Sequence, residues 1–255
     1  MSKKVKGICS ICGEEKELTF EHIPPRAAFN RFNLRLYDFW DYLINNNQKY
    51  TPYQKGAGKY SLCKSCNNLT GTWYGSAYAE FASQGLSYRR KNSTGLIAVP
   101  YTIYPLRVFK QIVACFASVN GAIWCQRNPV IKEFLLNPYE RRFPSDIDIR
   151  VYMQEKGRSK FDGISAQMNI FTGERFLGSE WAYPPFSYIN VCDKNYTNFK
   201  VLNELYSIMN FLKYDYDDRV TLYLKIPRKP CNPTMLDFRE GIPDLETVIK
   251  SNKSN

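Results

Sequence analysis

Histidine is almost absent from this chain: His22 is the only one among 255 residues. A proton transfer that needs an imidazole near neutral pH therefore has a single candidate. Long apolar runs are missing too. None approaches the ~18 consecutive apolar residues of a membrane span. Ile112 to Ala117 is the short kind of run that a buried helix uses. No apolar stretch follows the basic opening Met1 to Gly7, so neither a secretory signal nor a membrane association is expected, and the expected compartment is the cytoplasm. Internal repeats and long low-complexity tracts are lacking as well, which leaves one large folded domain or two ordinary ones. In a reducing compartment the eight cysteines argue against a disulfide framework and towards metal binding.

What is present is charge, aromatics and two cysteine pairs. Hydrophobic residues make up 44% of the chain and aromatics 15%, enough for a packed core rather than a disordered chain. The formal net charge is +11, and residues 1–95 carry +7 of it. A basic protein of this size is drawn to polyanions, with nucleic acid the commonest.

The spacing predicts an α+β organisation. A zinc knuckle and a short strand, Leu18 to His22, occupy the first residues. Pro24-Pro25 stops that strand, because proline cannot donate to a ladder. A helix is expected over 29–50, with Phe32, Leu36, Phe39, Trp40 and Leu43 on one face. A turn is expected from Gln54 to Lys59, then a broken helix from Cys66 to about Arg90. Lys91-Asn92-Ser93-Thr94-Gly95 is the candidate boundary, dividing the chain into 1–95 and 96–255. After Pro105, the residues Phe109, Ile112, Val113 and Phe116 recur at helical spacing. Three alternating runs follow: Ile147 to Met153, Ile164 to Ile170, and Val220 to Ile226. They read as half-buried antiparallel strands of one curved sheet. A helix with Leu202, Leu205, Met209 and Leu212 inward is expected between the last two, and a frayed end from Ser251 to Asn255.

Cys9-x-x-Cys12 and Cys63-x-x-Cys66 each fit a tight turn that delivers two thiolates to one metal. Two such pairs complete a tetrahedral structural zinc site. The long separation costs little, since loop closure grows only logarithmically. Gly13 permits the backbone turn behind the metal. Cys115, Cys125, Cys192 and Cys231 show no such pairing and read as core. Glu21-His22 closes the strand after the first knuckle, and Asn67-Asn68 follows the second, where asparagine also suits a helix cap.

Taken together, Cys9-x-x-Cys12-Gly13, Leu18-Thr19-Phe20-Glu21-His22-Ile23-Pro24-Pro25-Arg26 and Cys63-x-x-Cys66-Asn67-Asn68 resemble the HNH endonucleases over roughly residues 7–75. The resemblance implies a zinc-pinned, treble-clef-like ββα-metal domain, followed by an α+β domain with a mainly antiparallel sheet. It implies an endonuclease that hydrolyses phosphodiester bonds of DNA, of the kind found in restriction, phage defence and mobile elements, with RNA as a second possible substrate. Glu21 matches the acidic ligand of a catalytic Mg²⁺ or Mn²⁺, His22 the general base, and Asn67 the second ligand, in place of the usual histidine. The departure is the middle asparagine, whose place holds Gly58. Gln54, Lys55 or a backbone group would have to brace the loop instead.

Arg26 and Lys64, with the run Arg89-Arg90-Lys91, are candidates to hold phosphates. Each is also an ordinary surface cation. Trp73, Tyr74, Tyr78 and Phe81 read mostly as packing, with base stacking open to Trp73 and Tyr74. The other functional reading is a non-catalytic, zinc-dependent nucleic-acid-binding or interaction protein. Residues 96–255 would direct or regulate, through a protein partner or a second copy.

Overall fold

The computed structural model describes residues 4–37, 50–53, 56–91, 98–155 and 159–229. The chain opens with β1 (Val5–Ile8) and β2 (Glu15–His22), an antiparallel hairpin around the first cysteine pair. Gly13 takes φ +77° in the connecting turn, a left-handed conformation that glycine adopts without strain. β2 ends at His22, directly before Ile23-Pro24-Pro25, as the prolines require.

Of the helix expected over 29–50, residues 29–37 and 50 are described and are not helical. β3 (Leu34–Tyr37) pairs antiparallel with β4 (Tyr50–Tyr53). Phe32, Leu34 and Leu36 alternate as well as they follow a helical period, and a short apolar run does not distinguish the two. The tyrosine-rich partner strand decides for the sheet. Phe39, Trp40 and Leu43 lie outside the described residues. The turn expected over Gln54 to Lys59 shrinks: Gly56 keeps a left-handed φ of +101°, but Gly58 and Lys59 already belong to β5 (Gly58–Cys63). Gln54 and Lys55 lie outside the described residues. β5 pairs with β2, giving the order β1-β2-β5.

The broken helix is one rod with a defect. α1 (Lys64–Thr70) runs into a π-helical turn (Gly71–Gly75) and on into α2 (Ser76–Lys91). Gly71 and Gly75 are poor helix formers, and they bracket the π turn. Tyr74, Tyr78 and Phe81 are buried, as packing predicts, while Trp73 is half-exposed.

β6 (Val99–Ile103) precedes α3 (Pro105–Asn120), which starts with proline in its first turn and stops at Gly121 (φ +80°). Residues 105, 106 and 108–119 of α3 are all buried, so it is a central helix packed on every side rather than an amphipathic one. α4 (Ala122–Arg127) and α5 (Pro129–Leu136) follow.

The main sheet comprises β7 (Asp148–Gln154), β8 (Lys160–Met168), β9 (Arg175–Tyr183), β10 (Phe186–Val191) and β11 (Tyr206–Ser207), in the order β11-β7-β10-β9-β8. Its neighbouring strands on that path are antiparallel. Three expectations need correction. The run at 220–226 does form β12 (Val220–Leu224), but β12 pairs with β6 in a separate two-stranded sheet. Only the short β13 (Arg228–Lys229) returns to the main sheet, parallel to β7. The helix expected around Leu202 to Leu212 is two 3-10 turns, Lys200–Glu204 and Met209–Lys213, separated by β11. The strands are also not uniformly half-buried. β7, β9 and β10 are covered on both faces for most of their length. In edge strand β8 and the turn after it, Ile164, Met168 and Ile170 are exposed rather than inward. Cys231 and Ser251 to Asn255 lie outside the described residues.

The larger of two buried apolar clusters runs from Cys9 and Leu62 through Phe81 and α3 to Trp181 and Tyr188, and the smaller gathers Tyr152, Phe176, Ile189 and Leu202. Phe81 stacks on Phe186 of β10, with ring centroids 4.6 Å apart. Gly85 is small for the same reason, since a Cβ there would stand 2.2 Å from the Phe186 ring. The result is a mixed α+β structure with antiparallel sheets. No helix among the described residues is long and apolar enough to cross a membrane.

Candidate functional site

The two cysteine pairs meet. Cys9 and Cys12 lie in the turn between β1 and β2, Cys63 ends β5, and Cys66 lies in the first turn of α1. The four Sγ atoms all lie within 4.8 Å of one another. Cys12 Sγ and Cys63 Sγ are 4.0 Å apart, far beyond a disulfide bond. That spacing matches the edge of a tetrahedron with metal–sulfur bonds of about 2.3 Å. The backbone locks the geometry: Gly13 N donates to Cys9 O at 2.9 Å, and Ser10 N to Ser61 O at 2.8 Å. The Cys63 amide donates to Cys9 Sγ at 3.3 Å, the usual support for a thiolate ligand. Hydrogen bonding from the Cys66 thiol, aided by backbone donors, pulls the Cys9 thiol down to about 4 and pushes Cys66 up. Lys132 of α5 donates to the Cys12 carbonyl at 2.9 Å, tying the knuckle to the helical layer. An all-thiolate set suits zinc.

Beside this cluster lies the end of β2. The register passes from Thr19–Leu62 to Phe20–Tyr60, so Ser61 is an extra residue on β5 and the alternation along β2 is kept. Phe20 and His22 therefore share one face, where their rings meet edge-on at 5.2 Å and Tyr60 packs against Phe20. Thr19 and Glu21 share the other, which faces the helices. Asn67, in the first turns of α1, reaches that face: its Nδ2 donates to Thr19 Oγ1 at 2.9 Å and to the Phe20 carbonyl at 3.5 Å. The pair of cysteine knuckles thus sets the start of α1 against the strand end that carries Glu21 and His22.

Glu21 is 6% exposed. Its carboxylate has no hydrogen-bond partner among the described residues, and burial pushes its carboxyl up to about 8. A buried acid left unpaired is costly, and neutralisation or a bound cation relieves the cost. On α3, Gln111, Cys115 and Ser118 recur at i, i+4 and i+7; the sequence reading took Cys115 as core and passed over the other two. Ser118 Oγ pairs with Ser61 Oγ at 3.0 Å. Lys59, opposite Glu21, donates to the Val119 carbonyl at 3.5 Å. Glu21 stands near enough to Cys115 for its charge to raise that thiol further, beyond what burial does. The spacing was a usable signal, but the apolar residues of α3 drew the reading to the other face.

Asn30 is the other omission. It is fully buried, and its Nδ2 donates to the carbonyls of Pro24 and Ala57, both at 2.7 Å. Its Oδ1 accepts from Ala57 N at 2.6 Å. Asn30 thus ties the segment after His22 to the residue before β5. Gly56 lies so close that a Cβ there would stand 2.2 Å from the Asn30 carbonyl oxygen.

The basic candidates divide into two groups. Arg26 and Lys64 are exposed, Arg26 just after the β2 end and Lys64 at the start of α1. Arg89 lies near the far end of α2, roughly 33 Å from Asn67 at about 1.5 Å per residue. Arg89 also donates to the Glu155 carbonyl at 2.6 Å, and its own carbonyl accepts from Arg228 at 2.5 Å. Arg90 and Lys91 share that helix end. The two groups would touch one duplex only across about ten base pairs. The chain matches no family model, and no curated protein or solved structure matches it.

Proposed function

We propose that the protein is an HNH-type, metal-dependent endonuclease acting on DNA, with a structural zinc in the four-cysteine cluster. The observation that carries this reading is the juxtaposition of Glu21, His22 and Asn67. The lone histidine and a buried, unpaired carboxylate sit at one strand end, and Asn67 is hydrogen-bonded to the same strand. In the resemblance to HNH proteins these are the base and the two ligands.

Glu21 and the Asn67 Oδ1, free of protein partners among the described residues, are hard oxygen donors and suit Mg²⁺ or Mn²⁺. When bound, that cation would neutralise charge on the phosphate and the leaving oxygen. His22 takes the proton from the attacking water, the water oxygen bonds to phosphorus, and the bond from phosphorus to the leaving oxygen breaks. Arg26 and Lys64 supply charge for the flanking phosphates.

The non-catalytic alternative draws its support from Gly58, which stands where the motif usually has its middle asparagine. Asn30 weakens that objection, because its three hydrogen bonds brace the loop between the two strands from a different place in the sequence. A place in restriction, phage defence or a mobile element follows from the resemblance alone. The test is incubation of zinc-loaded protein with supercoiled plasmid, and in parallel with RNA, in Mg²⁺ or Mn²⁺. Nicked and linear DNA that appear only with the divalent ion support the reading. Intact plasmid that nevertheless binds in a salt-dependent manner points to the binding module, and absence of both to an interaction protein.

A further inference from the structure

β8 is the last strand of the main sheet, and no described strand pairs with its outer side. Its two halves differ. The first half is guarded as edge strands usually are. Lys160 and Asp162 form an ion pair at 2.6 Å, and a bulge interrupts the ladder between Asp162 and Ser165. Past the bulge the guard stops. From Gly163 to Phe171 there is neither a charged residue nor a proline. Met168 is 60% exposed, Ile170 77% and Phe171 92%, with Ile164 exposed beside them. An open, apolar, uncharged edge is a template for another strand.

The backbone shows which groups are on offer. Asn169 N donates to the Glu174 carbonyl at 2.8 Å, so Asn169 bonds towards β9. Bonding alternates along an antiparallel strand. Gln167 and Ser165, opposite Phe176 and Gly178, therefore bond towards β9 as well. Ala166 and Met168 turn their N–H and C=O groups to the open side. Their cross-strand partners point away from them: the Leu177 carbonyl accepts from Cys192 N, and the Arg175 carbonyl from Asn198 N, both at 2.9 Å. Two copies of this segment match each other. Laid antiparallel about a two-fold axis at Gln167, Ala166 of each copy faces Met168 of the other, and both pairs exchange N–H···O bonds. Ile164 of one copy then lies by Ile170 and Phe171 of the other, apolar against apolar. Charge points to the same occupant. Two chains of net charge +11 repel each other, and this stretch of edge brings no charged side chain to the contact. Nucleic acid fits it less well, because the stretch offers no cation to a phosphate.

We propose that the second half of β8 is a self-association edge, through which two copies of the chain pair antiparallel and join their main sheets into one. The contact is isologous, so it closes at two copies. It is independent of the endonuclease reading, and it gives residues 96–255 the task of assembly.

The test is sedimentation velocity of full-length, zinc-loaded protein over a dilution series. Wild type should pass from one chain mass to two as concentration rises. Met168→Lys sets like charges diagonally across the axis and should weaken the dimer Kd by roughly tenfold or more, with zinc content and circular dichroism unchanged. Ala166→Pro removes an N–H that faces the open side, where an edge strand tolerates proline, and should have the same effect. If the proline variant does not fold, Met168→Lys decides, since its side chain is exposed. Gln167→Cys places two thiols across the axis at a non-hydrogen-bonded pair, where a Cα spacing of about 4.5 Å permits a disulfide. Mild oxidation should cross-link this variant into a dimer that a reductant reverses, and wild type treated alike should remain uncross-linked. Wild type that stays monomeric at every soluble concentration overturns the proposal. So does a dimer that folded Met168→Lys leaves intact, a Gln167→Cys chain that does not cross-link, or open-ended oligomers in place of dimers.

Discussion

Asn30 and Ala57 face each other as two peptide groups in a sheet would: the side-chain amide donates to the Ala57 carbonyl at 2.7 Å and accepts from its N–H at 2.6 Å. Ile23 N donates to the same carbonyl at 3.0 Å. The segment that leaves His22 is thereby fixed to the start of β5. Asn30→Ala removes both bonds and the one to Pro24, and leaves buried backbone groups unpaired. We predict a loss of about 2–3 kcal/mol of stability in urea unfolding, with zinc retained. Asn30→Asp keeps the acceptor and loses the donor, so it should fall between. Wild-type stability in Asn30→Ala would show that the clamp is idle.

The cysteine cluster predicts one tightly bound zinc per chain. Cys63 sits at the junction of β5 and α1, and its amide also supports Cys9 Sγ. Cys63→Ser leaves three thiolates and should release zinc and melt the β1-β2-β5 sheet, because metal binding and folding are coupled. Metal analysis and circular dichroism check this together. Well-folded wild-type protein without zinc would refute it.

The buried acid predicts a pH dependence with a definite sign. Glu21 has its carboxyl raised from an ordinary 4.5 to about 8 by burial. Between those values the folded chain holds a proton that the unfolded chain has lost. In the absence of divalent cation, its contribution to stability is full below pH 4.5, declines as pH rises, and is lost above about 8. The decline is at most about 1.4 kcal/mol per pH unit. Thermal melts of wild type and Glu21→Gln across this range measure it as a difference, and the variant should lack this component. On the proposed metal site Mn²⁺ would bind the ionised form, so its affinity should rise with pH up to about 8 and offset the loss. Parallel curves for the two proteins would contradict the prediction.

Legibility followed the range of the interactions. The cysteine knuckles, the strand before Pro24-Pro25 and the start of α3 are dictated by neighbours within a few residues, and the sequence shows them. The segment 29–37 was misread because Phe32, Leu34 and Leu36 satisfy two periods, and the partner at Tyr50–Tyr53 decides between them. Leu202 to Leu212 has a helical pattern, but β11 pairs with β7 in its middle and leaves only 3-10 turns on either side. Of the proposed site, Glu21, His22 and Asn67 stand in local motifs. Asn30 was hidden inside the misassigned helix. The Ser118–Ser61 contact was hidden because nothing local says that α3 packs against a strand 57 positions earlier. Such contacts are properties of the fold, not of a sequence window.

The central claim is that His22 is the base of a metal-dependent nuclease, and plasmid cleavage by His22→Ala tests it most directly. The variant should keep its zinc, its fold and its DNA binding, since the phosphate contacts come from Lys and Arg. Cleavage should fall by roughly two to four orders of magnitude, the usual contribution of a general base. Raised Mn²⁺ should restore part of the activity of Glu21→Ala and Asn67→Ala, because mass action offsets a lost ligand, and should restore none to His22→Ala. Undiminished cleavage by His22→Ala, or equal rescue of all three variants, would contradict the account.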